Sequence, residues 1–315
     1  MSAALVSILI PCFNAAPWLE ATLASAFAQT WPEKEIILVD DGSTDGSLAL
    51  ARRFETQGLK IIAQPNRGAS AARNAALAAS RGAWLQFLDA DDLLAPDKIE
   101  QQMNMAALLG PSFLLAARWS RFVRVPEETA SPDEPLCIDA APVDWMVAKF
   151  EQNAMMHPAA WLVSRELAQR IGLWDTQLSL DDDGEYFGRA VLASSGVRTC
   201  RPARSYYRSR LSSSLSGRKS DAAWASAFRS IALSTARLVQ KEDSARTRHA
   251  AATAYQRFIY EAYPACRALR AQAAQEVSSL GGCSLRYQAG PKFSAVQSLL
   301  GWKAAKRLAR VLQRA

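Results

Sequence analysis

The chain has 315 residues, half of them apolar, enough to bury a core without staples. Its five cysteines (Cys12, Cys137, Cys200, Cys266, Cys283) are odd in number, widely spaced and without a C-x-x-C pair, which argues against a disulfide framework or zinc knuckle and suits a reducing cytoplasm. Its two histidines, His157 and His249, exclude a histidine-rich metal centre, and its +7 charge is divided unevenly, with 20 Lys+Arg against 25 Asp+Glu in residues 1–217 and 17 against 5 in residues 218–315.

The opening from Met1 to Asn14 lacks the basic start of a signal peptide, and its short apolar run closes on Pro11. Leu5–Ile10 reads as a strand. Asn14 is placed to cap a helix from about Pro17 to Gln29. Glu35–Val39 is a second strand ending at Asp40-Asp41-Gly42-Ser43, and a helix follows through Leu48 to Phe54. Lys60–Ala63 is a third strand, Gly68–Ser80 an alanine-rich helix, and Ala83–Leu88 a fourth strand that ends in Asp89-Ala90-Asp91-Asp92. Strands alternating with helices imply a parallel sheet covered on both faces, with ligands at the carboxyl ends of the strands. Both acidic clusters stand at such ends.

Residues 111–217 read as mixed α/β, with an exposed loop over Pro126–Pro142, a strand over Ala159–Val163 and a helix over Asp181–Ser194 that opens with carboxylates. The apolar stretch Phe113–Val125 is broken by Arg118, Arg121 and Arg124, and no run approaches the roughly 20 apolar residues of a membrane span. From about Ser220 the pattern is helical and rich in Ala, Arg and Leu. The organisation predicted is therefore an acidic α/β domain over 1–217 and a basic, mainly helical region over 218–315.

Mg²⁺ and Mn²⁺ prefer carboxylate oxygens, and Asp-x-Asp at a strand end puts two of them on one side. Taken singly, each acidic cluster also suits a solvated helix start or a turn.

Four strings occur together, however: Val6–Asn14, Val39–Asp45, Asn66–Asn74 and Phe87–Asp92. In order and spacing they resemble the family 2 glycosyltransferases, strongly over roughly residues 5–100, less to about 217 and not beyond. The resemblance implies a GT-A fold (a Rossmann-like nucleotide-binding sheet flanked by helices), here with a helical C-terminal extension. It also implies a Mn²⁺ or Mg²⁺ cofactor, a nucleotide-sugar donor and inversion at the anomeric carbon. Carried over by residue, Pro11 and Asn14 match the first nucleotide-contact loop. Asp41 matches the acid that holds uracil N3–H, with Asp40 beside it and Ser43 in the same turn. Arg73 matches a basic residue near the nucleotide, Asp89 a ribose or metal contact and Asp91 the metal ligand, while Asp92 is left as a supporting acid or cap.

The catalytic base of the family lies further on. Asp182-Asp183-Gly184-Glu185-Tyr186-Phe187-Gly188-Arg189 fits its pattern, with Asp182 in place of a Glu and Asp183 as the base. Gly184 and Gly188 depart from the bulkier residues usual there. Tyr206-Tyr207-Arg208 and Ser212–Ser216 resemble a segment that closes over the diphosphate, with Arg210 where the family has His. His157 reads equally as an acceptor-pocket or a structural residue. The implied acceptor is a saccharide or a lipid-linked one, as in cell-surface polysaccharide or glycolipid synthesis, and a non-catalytic nucleotide-sugar binder is the rival. No G-x-G-x-x-G or Walker motif supports another nucleotide enzyme, and no nucleic-acid motif accompanies the basic tail. In that tail Val296, Leu299, Leu300, Leu308 and Val311 fall at helical spacing, with Trp302 and with Lys303, Lys306, Arg307, Arg310 and Arg314 mostly elsewhere. Such a helix lies on the inner face of an anionic membrane or packs its apolar side on the protein.

Overall fold

The structure is a computed structural model that describes residues 3–126, 134–209, 220–287 and 294–312. It divides into two compact units, Met1–Arg218 and Lys219–Ala315. Arg210, Ser212–Ser216 and Arg314 lie outside the described residues, as does the middle of the loop expected over Pro126–Pro142.

In the first unit the elements run β1 (Val6–Cys12), α1 (Ala16–Phe27), β2 (Lys34–Asp40), α2 (Ser47–Arg52), β3 (Leu59–Ala63), α3 (Ala69–Ala79), β4 (Trp84–Phe87), β5 (Leu93–Leu94), α4 (Lys98–Leu109), β6 (Leu114–Phe122), α5 (Pro142–Gln152), β7 (Trp161–Ser164), α6 (Arg165–Ile171), α7 (Asp182–Ala193) and β8 (Val197–Arg208). One sheet joins all eight strands in the order β3-β2-β1-β4-β7-β6-β8-β5. Ile8, Leu9, Ile10, Ile37, Leu38 and Val39 are fully buried, as the continuous apolar runs of a doubly covered sheet require.

The sheet is only partly parallel. β1 through β4 pair in parallel, but β7 is antiparallel to both β4 and β6, and β5 to β8. A sequence pattern of alternating strands and helices does not show this, because the return strand β7 is only four residues long and follows a long excursion. The order places β1 between β2 and β4, so the chain reverses direction across the sheet there. In sheets of this kind ligands bind at the carboxyl ends of the strands on either side of such a reversal, and there Cys12, Asp40 and the segment after Phe87 emerge.

Two local expectations need correction. Asn14 does not cap α1: Ala15 holds that position, and Asn14 sits at φ 50 with its side chain turned to the β2–α2 loop. Nor do the acids at 89–92 open a helix, since β5 intervenes and α4 starts at Lys98. Polar side chains on α1 fix this segment. Thr22 Oγ1 donates to the carbonyls of Ala90 and Asp92, 3.0 Å each, and Gln29 accepts from the Ile99 amide at 3.1 Å and donates to the Ala95 carbonyl at 2.8 Å.

The second unit holds α8 (Asp221–Lys241), α9 (Ala245–Ala262), α10 (Arg267–Ser279) and α11 (Ser294–Leu312). Ser220 caps α8, and Ser244 with Thr247 forms a capping box on α9. Phe258, Ala262 and Ala273 are buried there against Trp224, Phe228 and Leu269. α11 is broken at Gly301 (φ 77), a backbone state that glycine adopts without a Cβ penalty. No described helix is long and apolar enough to cross a membrane.

Gly82 enters β4 beside β1 so closely that a Cβ there would lie 2.6 Å from the Ser7 amide nitrogen and 2.8 Å from the Leu5 carbonyl. Gly82→Ala is therefore expected to lower the stability of the first unit by about 2 kcal/mol in urea denaturation, an overpacking cost borne by backbone that cannot step aside.

Candidate donor and catalytic site

At the end of β1 the chain crosses to the loop after β2. The Asn14 amide donates to Ser43 Oγ at 3.0 Å, and Asn14 Oδ1 accepts from the Thr44 amide at 2.8 Å. The amides of Ala15 and Ala16 donate to Ser47 Oγ (2.9 Å) and Asp45 Oδ2 (3.0 Å). Pro11 lies inside β1, paired with Val39, where its missing N–H is compatible with the ladder. Burial and the neighbouring Asp40 charge push the Cys12 thiol up to about 12, so it stays protonated and inert.

Asp41 is buried and clasps the loop before α3. Its carboxylate accepts from Gln64 Nε2 (2.6 Å) and from the amides of Arg67 (2.9 Å) and Gly68 (2.8 Å). Asp40 accepts from the Ser43 amide at 3.2 Å, and its other oxygen is buried without a partner. Gly42, at φ 77, fits against Asn66, where a Cβ would lie 2.9 Å from the amide nitrogen.

Arg73, on α3, is the hub. It is buried, and its guanidinium holds Asp89 Oδ1 at 2.8 Å and Asp182 Oδ2 at 2.7 Å. Asp182 also accepts from Ser70 Oγ at 2.9 Å. Against the cost of burial, Asp89 and Asp182 keep Arg73 firmly protonated, its pKa raised. The guanidinium stacks 4.5 Å over Trp174, Trp174 stacks 4.1 Å from Tyr186, and Arg189 covers Tyr186 at 5.2 Å. Asn74 anchors Trp174 through two bonds of 2.9 Å to its amide and carbonyl. Glu185 is buried and accepts twice from Arg189, so this pair is structural.

The base predicted at Asp183 thus follows directly on a residue tied to the Asp-x-Asp segment. Its carboxyl is pushed up to about 7, first by burial and then by Asp182 and Asp181. Gly184 explains its own departure from the bulky residue anticipated there: a Cβ would collide with the Asp181 carboxylate, which occupies that space. Asp181 itself takes the left-handed backbone at φ 59.

Asp89 is a quarter exposed and bound to Arg73. Asp91 is partly buried, and its carboxyl rises to about 8 through burial and the charges of Asp92 and Asp89. Asp92 points away from this pair. It is fully buried, with Oδ2 2.9 Å from His157 Nδ1, while His157 Nε2 lies 2.8 Å from Ser205 Oγ. Its other oxygen accepts from the Arg208 amide at 2.8 Å. Burial drives His157 down to about 3, so the ring is neutral, and burial raises Asp92. Arg208 reaches back: Nε donates to the Asp91 carbonyl at 2.8 Å, and the guanidinium lies between Trp18 (4.5 Å) and Phe122 (4.3 Å).

The roles of Trp174 and of the chain Asp92–His157–Ser205 have no local signal in the sequence. They depend on β7, β8 and the loop before α7 meeting the Asp-x-Asp turn. Asp182 was visible as part of the acidic run, but its use as the partner of Arg73 was not.

The fold is that of GT-A glycosyltransferases. Similar solved structures are S. aureus TarS residues 1–349 in complex with UDP (TM-score 0.64, 15% identity, 87% of each chain) and a mannosyltransferase, PcManGT, from Pyrobaculum calidifontis in complex with GDP-Man and Mn²⁺ (TM-score 0.55, 18% identity, 98% of this chain and 84% of that one). Glycosyl transferase family 2 matches residues 7–172, more than half of the chain, and the chain belongs to that family. Among its relatives are an uncharacterized glycosyltransferase of Haemophilus influenzae (38% identity, 33% of this chain, 43% of that one) and the putative teichuronic acid biosynthesis glycosyltransferase TuaG of Bacillus subtilis (39%, 32% and 41%). An uncharacterized glycosyltransferase of Rickettsia prowazekii matches at 30% identity over 62% of this chain and 65% of its own. The chain spans less than half the length of the first two of these.

Removing the His157 ring leaves a buried acid without its partner and a cavity among Trp119 and Tyr207. His157→Ala is expected to cost about 3 kcal/mol of folding stability in urea denaturation. A change within ~0.5 kcal/mol would show that the ring does not hold the Asp-x-Asp turn.

Proposed function

We propose that the first unit transfers a sugar from a nucleoside-diphosphate sugar, a UDP-sugar, to a hydroxyl of a saccharide or lipid-linked acceptor, with inversion at the anomeric carbon. One observation carries this reading: Arg73 binds Asp89 after β4 and Asp182 at the start of α7, which brings the Asp-x-Asp turn and Asp183 to one site. In support, solved structures of the same fold contain UDP, UDP-GlcNAc, or GDP-Man with Mn²⁺. The name of TuaG supports a place in cell-surface polysaccharide synthesis.

A divalent ion fits the acids present. The Asp91 carboxylate has no side-chain hydrogen-bond partner among the described residues and is crowded by Asp89 and Asp92. Among the described residues no group of three His, Cys, Asp or Glu side chains is arranged to hold a metal ion by itself. Asp91 with Asp89 would therefore hold Mn²⁺ or Mg²⁺, leaving positions for phosphate oxygens. Bound there, the ion supplies Lewis-acid stabilisation of the departing diphosphate.

The remaining roles belong to the chain. Asn14, Ser43 and Asp40 shape the nucleotide side of the site, with Pro11 at its base, and Asp41 orders the loop before α3 on that side. Arg73 fixes the distance between donor and base while keeping Asp89 turned toward the donor. Asp183 takes the acceptor proton as the hydroxyl oxygen bonds to the anomeric carbon and the bond to the diphosphate breaks. A base near pH 7 is matched to that task.

Three outcomes follow. Transfer is expected to need ionised Asp183, so kcat/KM should fall tenfold per unit of pH below about 7. Asp183→Asn should abolish transfer by about 10³-fold or more while donor binding, read by calorimetry, survives. The same variant should raise metal-free stability. A carboxyl raised in the folded state costs stability as pH climbs from its ordinary value near 4 to about 7. The Asn side chain removes that cost, so the gain is up to about 4 kcal/mol at pH 8 and small at pH 4. Full turnover by Asp183→Asn would overturn the assignment of the base.

A further inference from the structure

The charge of this chain is concentrated where the proposed chemistry is not. In the second unit a groove of about 400 Å³ lies between α9, α10 and α11, and it is lined by Arg267, Arg270, Lys303 and Trp302 with no acidic residue. Arg270 is held in place by the carbonyls of Ala265 (2.7 Å) and Pro264 (3.1 Å) and lies 5.0 Å over Tyr263. Arg267 and Lys303 are exposed and make no ion pair among the described residues.

Beside this groove α11 does not pack its leucines on the protein. The small Ala305 is buried and Trp302 packs among Tyr260, Tyr263 and Tyr287, whereas Leu299, Leu300 and Leu308 are 84%, 72% and 41% exposed. The break at Gly301 separates the two outermost leucines from the segment that carries Trp302 and Lys303. The leucines thus stand in water within four residues of the basic groove. Neither feature alone defines a ligand. Together, cations without counter-acids and apolar side chains without a core match a surface with anionic headgroups over a hydrocarbon layer.

We propose that the second unit docks on an anionic lipid bilayer, with Leu299 and Leu300 entering the interface and Arg267, Arg270 and Lys303 taking lipid phosphates in the groove. Docking of this kind would deliver the protein to a lipid-linked substrate without a membrane-spanning helix. It does not depend on which reaction the first unit performs.

The test is co-sedimentation of the full chain with vesicles of phosphatidylcholine alone or with one third phosphatidylglycerol. Binding is expected only to the anionic vesicles and should weaken as salt is raised from ~0.1 to ~0.5 M, because the Debye length shrinks. Each lost cation should weaken partitioning about fivefold, so Arg267→Glu with Lys303→Glu should cost more than tenfold. Leu299→Ser with Leu300→Ser should do the same without changing charge. All four positions are exposed, and circular dichroism melts of the variants should match the parent chain. Equal binding to neutral vesicles, no binding to anionic ones, or variants that bind like the parent would overturn the proposal. So would displacement by inorganic phosphate beyond that caused by chloride at equal ionic strength, which would mark the groove as a small-anion site.

Discussion

A single buried guanidinium organises the first unit. Arg73 has an acid on each side, Asp89 from the turn after β4 and Asp182 from the first turn of α7, and its face lies on Trp174. The two acids are 93 residues apart in sequence, and neither would stay so close to the other without the positive charge between them. A charge as deeply buried as this is costly unless paired and hydrogen-bonded. The aromatic stack Trp174–Tyr186 and the Asn74 clasp lock that geometry from the far side.

Around this clamp the acids take different tasks because their surroundings differ. Asp41 accepts two backbone amides and a side-chain amide, and so spends its charge on ordering the loop before α3. Asp92 is turned into the core and held by His157 and the Arg208 amide. Asp91, one residue away, is left crowded and without a side-chain partner. Four acids that look alike in a sequence are thus a loop anchor, a clamp partner, a turn anchor and an uncompensated donor. The last, with Asp89 beside it, is the one suited to a hard cation.

Much of this was legible in the sequence, for identifiable reasons. β1, β2 and β4 are buried on both faces, so their buried runs are apolar but for Ser7 and Gln86, and the ends of β2 and β4 are marked by acids. Asp40, Asp41, Asp89 and Asp91 were therefore placed at strand ends by pattern alone. The antiparallel return of β7 was not legible, because so short a strand carries no sign of its direction. The helix cap assigned to Asn14 failed because the same side chain has a better partner in the Thr44 amide. The packing of Trp174 and His157 is tertiary, set by residues a hundred positions away, and no local periodicity encodes it. In the tail the helices were evident, but an amphipathic stripe does not say which side is wet. Leu299 and Leu300 are on the wet side.

The central claim is that Asp91 and Asp183 serve one metal-dependent transfer site. It is tested most directly by following UDP release from a panel of UDP-sugars, without acceptor, by the full chain with and without Mn²⁺. The account predicts slow release from at least one donor that requires Mn²⁺ and disappears in Asp91→Asn. Release that is independent of Mn²⁺ and unchanged in Asp91→Asn, or donor binding with no release even when acceptor saccharides are added, would contradict it.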